Sequence, residues 1–148
     1  MPLTFTTGDP FTAPQQTIGF GINAAGRTET SPIGAELALR YPAMLATYRK
    51  AAKRGRLQPG ALWLWTESTP RVLLLIVRET SVGATRPRFV DAAALKIARD
   101  HALYGIESLA LAPLGRQDET DTINEALGLL LHPSPLEVVA YTAYVPKS

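Results

Sequence analysis

One stretch of the sequence decides the fold class: Arg71-Val72-Leu73-Leu74-Leu75-Ile76-Val77-Arg78. Six consecutive apolar residues between two arginines are typical of a β-strand that is covered on both faces. We therefore predict a strand over Arg71 to Val77. The run is much shorter than the roughly 20 apolar residues that a membrane-spanning helix needs, so we expect no membrane partner.

Strands and helices alternate along the rest of the chain. Further strands are predicted at Leu3 to Thr7, Thr17 to Asn23, Ala61 to Thr66, Ile106 to Ala112 and Glu137 to Val145. Helices are predicted to begin at Pro32, with Pro42 as a kink or a new start, near Val90, and after Asp121 as N-cap. Gly105 is predicted to end the helix that begins near Val90. This order predicts an α/β fold, a three-layer sandwich with a mixed, mostly parallel sheet between helices.

Composition narrows the classes of protein to which the chain can belong. Its 148 residues fit one domain over residues 1–148, and a net charge of +2 is too small to argue for nucleic-acid binding by bulk electrostatics. The absence of cysteine excludes disulfides, thiolate metal sites and a cysteine nucleophile. With only His101 and His132, we expect no metal centre, and no cofactor is indicated. Met1 to Phe5 shows no secretory signal, so we expect a cytoplasmic protein.

Two loops follow predicted strands at positions where α/β sheets usually bind ligands, beyond the carboxyl ends of the strands. They are Ala24 to Ser31 and Leu114 to Thr120. Ser31 is a good N-cap for a helix that has Pro32 in its first turn. Backbone N–H groups at such a helix start are suitable phosphate partners, so the stretch Pro32 to Gly34 is a candidate anion site.

Segments throughout the chain resemble, in the right order, those of the macrodomain family. They are Gly8-Asp9, Ile22-Asn23-Ala24-Ala25-Gly26, Arg40-Tyr41-Pro42-Ala43-Met44-Leu45-Ala46-Thr47-Tyr48-Arg49, Lys53-Arg54-Gly55, Leu57-Gln58-Pro59-Gly60 and Ala110-Leu111-Ala112-Pro113-Leu114-Gly115. The resemblance is nearest to the branch that holds DNA ADP-ribosyl glycohydrolase antitoxins and terminal ADP-ribose glycohydrolases. It implies a mixed sheet between helices, with ADP-ribose in a cleft at the strand ends.

The resemblance also implies roles for individual residues. Asp9 would accept a hydrogen bond from the adenine amino group, and Asn23 would lie near the distal ribose. The loops from Ala24 to Ile33 and from Leu114 to Asp118 would flank the diphosphate and the distal ribose. The expected ligand contacts are Asp9, Asn23, Ala24, Gly26, Ile33, Gly34, Leu114, Gly115 and Arg116. From the residues alone, Gly8-Asp9-Pro10 is also ordinary turn chemistry, and Asn23 can close a strand by bonding to backbone.

Two departures from the family pattern leave catalysis open. The glycohydrolases of this branch carry a glycine-rich first loop with a lysine before the helix, whereas residues 26–32 here contain no lysine. The second loop reads Gly115-Arg116-Gln117-Asp118-Glu119 instead of a glycine-rich run with an aspartate. The candidates for acid–base or nucleophilic roles are Glu29, Ser31, Glu36 and Asp118. Ser31 is also explained as a helix cap, and Glu29 and Glu36 as solvated acids or acids that complement the helix dipole.

Three functions stay open at this point. The chain is expected to bind ADP-ribose or an ADP-ribosylated macromolecule. The alternatives are a glycohydrolase that removes ADP-ribose from DNA or protein, and a degenerate macrodomain that serves as a non-nucleotide interaction domain. DNA is a candidate partner through a basic run that is either a nucleic-acid patch or a solvated helix face. The run comprises Arg49, Lys50, Lys53, Arg54 and Arg56, with Arg71, Arg78, Arg86 and Arg88 as its extension. The sequence leaves the oligomeric state open.

Overall fold

The computed structural model describes residues 3–147. Its strands are β1 (Leu3–Gly8), β2 (Thr17–Asn23), β3 (Leu62–Trp65), β4 (Arg71–Arg78), β5 (Ser108–Leu111) and β6 (Glu137–Tyr144). Its α-helices are α1 (Pro32–Arg40), α2 (Pro42–Lys53), α3 (Pro87–Asp100) and α4 (Thr120–Leu131), and short 3-10 helices cover Pro10–Thr12 and Gln117–Glu119. The predicted absence of a secretory signal and the predicted single domain also cover Met1, Pro2 and Ser148. These three residues lie outside the described residues. No helix within residues 3–147 is both long and apolar enough to cross a membrane.

The six strands form one sheet in the order β1-β6-β5-β2-β4-β3. The neighbours are parallel except for β3, which runs antiparallel to β4 at one edge. The mixed, mostly parallel sheet that the sequence predicts is thereby confirmed. Because the five other strands run in one direction, their carboxyl ends lie along the same edge of the sheet, which is where α/β proteins usually hold ligands.

The burial of β4 explains the apolar run from which the fold was predicted. Its alternate side chains enter two separate cores, because successive residues of a strand point to opposite faces of the sheet. The core with α3 and α4 contains Leu73, Leu75 and Val77, and the core with α1 and α2 contains Val72, Leu74 and Ile76. All six side chains are 0% exposed. Burying a side chain of this size contributes about 1.5–3 kcal/mol, so this strand anchors both helical layers.

The two helical layers confirm the three-layer sandwich. Leu37 of α1 and Met44, Leu45 and Tyr48 of α2 pack on one face of the sheet. The opposite face is covered by α3 and α4, which also pack against each other. At Pro42, where a kink or a new start was predicted, the chain starts a new helix after a non-helical Tyr41.

Two helix boundaries differ from the prediction. α3 ends at Asp100 rather than near Tyr104, and a series of tight turns carries the chain to Gly105, whose φ of 70° reverses its direction. Asp121 does not cap α4, because the 3-10 helix at Gln117–Glu119 runs directly into that helix and leaves Asp121 exposed in its first turn. An acid there still interacts favourably with the helix dipole.

Candidate ligand cleft

An open cleft of about 790 Å³ lies at the carboxyl ends of the parallel strands. Its floor contains Phe20 and Gly21 of β2 and Arg78 at the end of β4. Its walls come from residues 29–34, 81–83, 113–117 and 142–144, with Pro146 beside the last of these. A cleft of this size is in the usual range of about 300–1,000 Å³ for small-molecule sites.

The glycine at position 21 lets the loop after β5 lie directly on β2. A Cβ atom at Gly21 would lie 2.9 Å from Val77 Cγ2 and 3.0 Å from the carbonyl oxygen of Leu114. Since real Cβ atoms need more room, only glycine permits this approach. This close approach forms the floor between the two ligand loops.

The first loop, residues 24–31, takes its shape from Asn23 and Tyr48. Asn23 is fully buried; its Nδ2 donates to the carbonyl of Arg27 at 2.9 Å, and its Oδ1 accepts from the N–H of Arg27 at 3.2 Å. The Tyr48 hydroxyl donates to the carbonyl of Asn23 at 2.5 Å. Burial raises the pKa of Tyr48, and nearby Glu29 adds to the effect, so the phenol stays a proton donor. The loop is therefore held from beneath by buried hydrogen bonds.

Glu29 and Arg78 form the only ion pair at the cleft floor within residues 3–147 in which both side chains are largely buried. Arg78 Nη2 lies 3.2 Å from Glu29 Oε1, and each side chain is 11% exposed. The other carboxylate oxygen, Oε2, accepts from Asn23 Nδ2 at 2.5 Å. The pair leaves this part of the floor without net charge, although it presents both an acid and a cation to a ligand.

The start of α1 supplies an anion-binding position on the same wall. Ser31 Oγ accepts from the N–H of Gly34 at 3.1 Å, which confirms the predicted cap. The N–H of Ile33 has no partner within residues 3–147, as expected for a group in the first turn of a helix. A Cβ atom at Gly34 would lie 2.5 Å from Glu29 Cβ, so glycine is what allows the loop to fold over the helix start. A free N–H at a helix N-terminus is a suitable donor to phosphate.

The second wall, residues 113–117, is tied to the loop after β4. Glu119 accepts from the N–H of Arg116 at 2.7 Å through Oε1 and from the N–H of Thr85 at 3.0 Å through Oε2. The Thr85 hydroxyl donates to the carbonyl of Leu114 at 3.0 Å. The Arg116 side chain is 63% exposed and lies 3.4 Å from Asp118, so its guanidinium can reach a ligand at the mouth of the cleft.

An aromatic cluster lies next to the cleft and contributes Phe20 and Tyr144 to its lining. Phe20 stacks on Phe11 with 4.9 Å between the ring centroids, and Tyr144 meets Phe11 edge-on at 6.0 Å. Asp9 lies beside this cluster: Oδ1 accepts from the N–H of Phe11 at 3.0 Å, and Oδ2 accepts from the N–H of Lys147 at 3.1 Å. Burial raises the pKa of the Tyr144 hydroxyl, and Asp9 adds to this shift. Phe20 and Phe11 are only 1% and 7% exposed, so Tyr144, with the carboxylate of Asp9 nearby, is the part of the cluster that a heteroaromatic ring with an amino group could contact.

The structure brings together seven of the residues predicted for the site. Those that line the cleft are Glu29, Ser31, Ile33, Gly34, Leu114, Gly115 and Arg116. Those outside the lining are Asp9, Asn23, Ala24, Gly26, Glu36 and Asp118. The side chain of Asn23 forms hydrogen bonds that hold the first loop in place, and Gly26 packs on Ala52 of α2. Asp118 is exposed beside Arg116. Their proposed contacts with a ligand stay predictions.

Sequence reasoning missed three parts of the lining. Arg78 was assigned to a surface patch, and residues 81–83 and 142–144 were not assigned to the site at all. One signal was available, since all three follow or end a strand of the parallel sheet, at the edge where ligands bind. An arginine placed directly after a fully buried strand is therefore a candidate for the site as well as for the surface.

The whole architecture compares closely with solved macrodomains. The macrodomain of Thermus aquaticus DarG superposes with a TM-score of 0.85 at 18% identity, over 94% of this chain and 97% of that chain. Thermosipho africanus DarTG in complex with ADP-ribose gives a TM-score of 0.85 at 18% identity, over 97% of this chain and 41% of that chain. A Trypanosoma brucei macrodomain in complex with ADP-ribose gives a TM-score of 0.66 at 14% identity, over 97% of this chain and 63% of that chain.

The molecule is an α/β protein of the macrodomain fold, with an open cleft at the carboxyl edge of its sheet. No family model matches the sequence, and no curated protein matches it. The likeness to macrodomains that the sequence segments indicate is confirmed at the level of the fold.

Proposed function

We propose that this protein binds ADP-ribose, free or attached to a macromolecule, in the cleft at the carboxyl edge of the sheet. The adenine would lie near Tyr144 and Asp9, the diphosphate against the start of α1, and the distal ribose near Glu29 and Arg78. Two structural neighbours were solved with ADP-ribose, which supports this choice among nucleotide ligands.

The observation that carries the proposal is a free N–H at the start of α1 in a cleft whose lining also has aromatic and charged residues. Ile33, whose N–H has no partner within residues 3–147, lines the cleft together with Tyr144 and with the Glu29–Arg78 pair. A ligand with an aromatic ring, an anion and a polar sugar matches these three kinds of lining. The largely exposed side chain of Arg116 lines the same cleft and offers a second partner to the anion.

Calorimetric titration with ADP-ribose, ADP and AMP tests the proposal. We expect ADP-ribose to bind with a dissociation constant on the order of micromolar, about −8 kcal/mol, and ADP and AMP to bind more weakly because they lack the distal ribose. Absence of both heat and a thermal shift with ADP-ribose would contradict the proposal. That result would favour the third function, a macrodomain fold that serves as an interaction domain without a nucleotide.

We propose further that the carrier of ADP-ribose is a nucleic acid, with DNA as the candidate. The C-terminal half of α2 and the turn that follows expose Arg49, Lys50, Lys53, Arg54 and Arg56, which we call the cationic α2 surface. No acidic residue occurs between Leu37 and Thr66. The first ligand loop packs on α2 through Gly26 and Ala52, so this surface continues directly into one wall of the cleft. A phosphate backbone is the polymer that fits such a surface.

The carrier is tested with single-stranded DNA that bears one ADP-ribose group, against the same strand without it. Replacing Lys50 and Lys53 by Glu should weaken binding of the modified strand about tenfold or more and reduce the dependence of affinity on salt. Free ADP-ribose should bind as before. The matched control also replaces two cations by Glu, Arg88 and Arg99 of α3. Arg88 was predicted to extend the basic run, but α3 covers the opposite face of the sheet from α2. Equal losses in both variants would remove the cationic α2 surface from recognition.

One observation favours a second function, the hydrolysis of an ADP-ribosyl bond. The Glu29 carboxylate lines the cleft and is held by Asn23 and Arg78, as a group that activates water or a nucleophile must be. Release of ADP-ribose from modified DNA or protein is the assay. Glu29→Gln should abolish any release, whereas Asp118→Asn, at an exposed position outside the lining, should retain it. Full activity of Glu29→Gln would exclude this residue from the chemistry.

A further inference from the structure

The guanidinium of Arg78 makes more contacts than an ion pair requires. Nη1 donates to the carbonyl of Leu114 at 2.7 Å and to the hydroxyl of Thr85 at 2.8 Å. Nη2 donates to the carbonyl of Gly21 at 2.8 Å and lies 3.2 Å from Glu29 Oε1. Only Nε, which is buried, has no partner within residues 3–147. One side chain therefore contacts four separate segments around the cleft.

These four segments surround the part of the cleft where the distal ribose is proposed to lie. Gly21 belongs to the floor, Glu29 to the first wall, Leu114 to the second wall, and Thr85 to the loop after β4. The connection continues beyond Arg78, because Thr85 also donates to Glu119, and Glu119 accepts from the N–H of Arg116. The two walls are thus joined through a single guanidinium, by an ion pair to Glu29 on one side and by a continuous set of hydrogen bonds on the other.

We propose that Arg78 is a positioning residue that sets the separation of the two ligand loops at the distal-ribose end of the cleft. This inference rests on the proposed binding of ADP-ribose. Arg78 acts through Glu29 and Leu114, whose positions on facing walls depend on it, and it selects ligands that carry the distal ribose over those that end at the diphosphate. The planar fork of arginine is needed because its N–H directions are fixed, whereas the single ammonium of lysine cannot hold four acceptors in one plane.

The test is Arg78→Lys, with Arg71→Lys as its matched control. Arg71 is the arginine at the other end of β4, and within residues 3–147 its side chain donates hydrogen bonds to the turn carbonyls of Tyr104 and Gly105 alone, at 3.4 and 3.3 Å. We expect Arg78→Lys to weaken the binding of ADP-ribose about tenfold, the size of about one lost charge-assisted hydrogen bond, while the affinity for ADP changes about twofold or less. Arg71→Lys should leave both affinities unchanged.

Hydrogen exchange gives a second readout that does not need a ligand. The backbone N–H groups of Thr85 and Arg116 are bonded to Glu119 and should be protected in the native chain. We expect faster exchange in residues 24–31 and 113–119 in Arg78→Lys, and no change there in Arg71→Lys. Thr85→Val is a milder variant in which loss of one hydroxyl should loosen residues 113–119 and leave residues 24–31 as they are.

The outcomes separate this inference from the proposed function. Equal loss of ADP-ribose and ADP affinity, or unchanged exchange in both loops, would overturn the positioning role. If the native protein binds no ADP-ribose, the proposed function fails, and the exchange experiment still decides whether Arg78 joins the walls. If Arg78→Lys does not fold, Thr85→Val takes its place, and normal exchange at Arg116 in that variant would overturn the inference.

Discussion

Glu29 and Arg78 lie 3.2 Å apart at the floor of the cleft, and neither side chain is more than 11% exposed. A charge that is largely removed from water is costly when its partner is lost, so the two groups depend on each other. The first ligand loop and the central strand of the site are therefore coupled in stability as well as in position.

Removing one member of this pair should destabilise the fold more than removing a surface pair. We expect Glu29→Ala to lower the free energy of unfolding by about 1–3 kcal/mol, because Arg78 and Asn23 each lose an acceptor. The control is Glu36→Ala, which breaks an exposed ion pair with Arg40 on α1 and should cost about 0.5 kcal/mol or less. Urea unfolding of both variants measures the difference, and equal costs would show that the buried pair adds no stability.

Gly34→Ala should lower ligand affinity more than it lowers stability. The added Cβ would meet Glu29, so the first loop must move away from the start of α1. Alanine in a helix gains up to about 1 kcal/mol over glycine, which offsets part of the cost in stability. Gly128→Ala in α4 is the matched control, because a Cβ there meets nothing within 4 Å and should stabilise the protein without changing affinity. Calorimetry and thermal unfolding together check the prediction, which is wrong if Gly34→Ala binds ADP-ribose normally.

Two substitutions at Ser31 should separate capping from ligand binding. Ser31→Ala removes the bond to the N–H of Gly34 and should cost about 1 kcal/mol of stability. Ser31→Asp restores a cap but places a negative charge beside the proposed diphosphate, so it should retain stability and lose ADP-ribose affinity. Titration and thermal unfolding of both variants give the two readouts. A fully stable Ser31→Ala would contradict the cap, and normal binding by Ser31→Asp would contradict the anion site.

Asp9→Ala should weaken the binding of ADP-ribose by at least about 1 kcal/mol if the carboxylate accepts a hydrogen bond from the adenine amino group. Both oxygens already accept backbone N–H groups, yet each carboxylate oxygen has a second lone pair for a ligand. An analogue with hypoxanthine in place of adenine lacks the amino group and should not distinguish Asp9→Ala from the native protein. Asp91→Ala, at an exposed position on α3, is the control. Equal sensitivity of both ligands would remove the adenine contact.

The contribution of Tyr48 to the free energy of unfolding should depend on pH. Burial raises its pKa above the ordinary value of 10.0, so ionisation is easier in the unfolded chain than in the folded one. Its contribution is therefore present below about pH 10 and is lost as the pH rises beyond that value. We expect Tyr48→Phe to be less stable by about 1 kcal/mol at pH 7, with a difference that narrows above pH 10. Urea unfolding from pH 7 to 11 measures the difference in stability between Tyr48→Phe and the native protein. Tyr104→Phe, at the exposed turn after α3, is the control. A difference for Tyr48→Phe that stays constant over this pH range would contradict the prediction.

Much of the fold could be predicted from local patterns. The unbroken apolar run in β4 indicated a strand with two covered faces, and each face proved to have its own core. Ser31 and Pro32 marked the start of α1 correctly, because capping depends on residues that are close in the chain. Asp121 offered a similar local signal and was wrong as a cap, because a 3-10 helix that the local pattern did not reveal precedes it.

The candidate site divides in the same way. The sequence by itself determined the alternation of strands and helices, the two loops at the carboxyl edge and the helix start between them, since each depends on periodicity and short-range capping. Only the tertiary structure decided that the side chain of Arg78 is buried and contacts four segments of the chain. It also decided that the side chain of Asn23 forms hydrogen bonds with the loop that follows it. Both outcomes depend on which carbonyls and carboxylates lie within hydrogen-bond distance of a side chain once the strands are paired. A local sequence pattern does not contain that information.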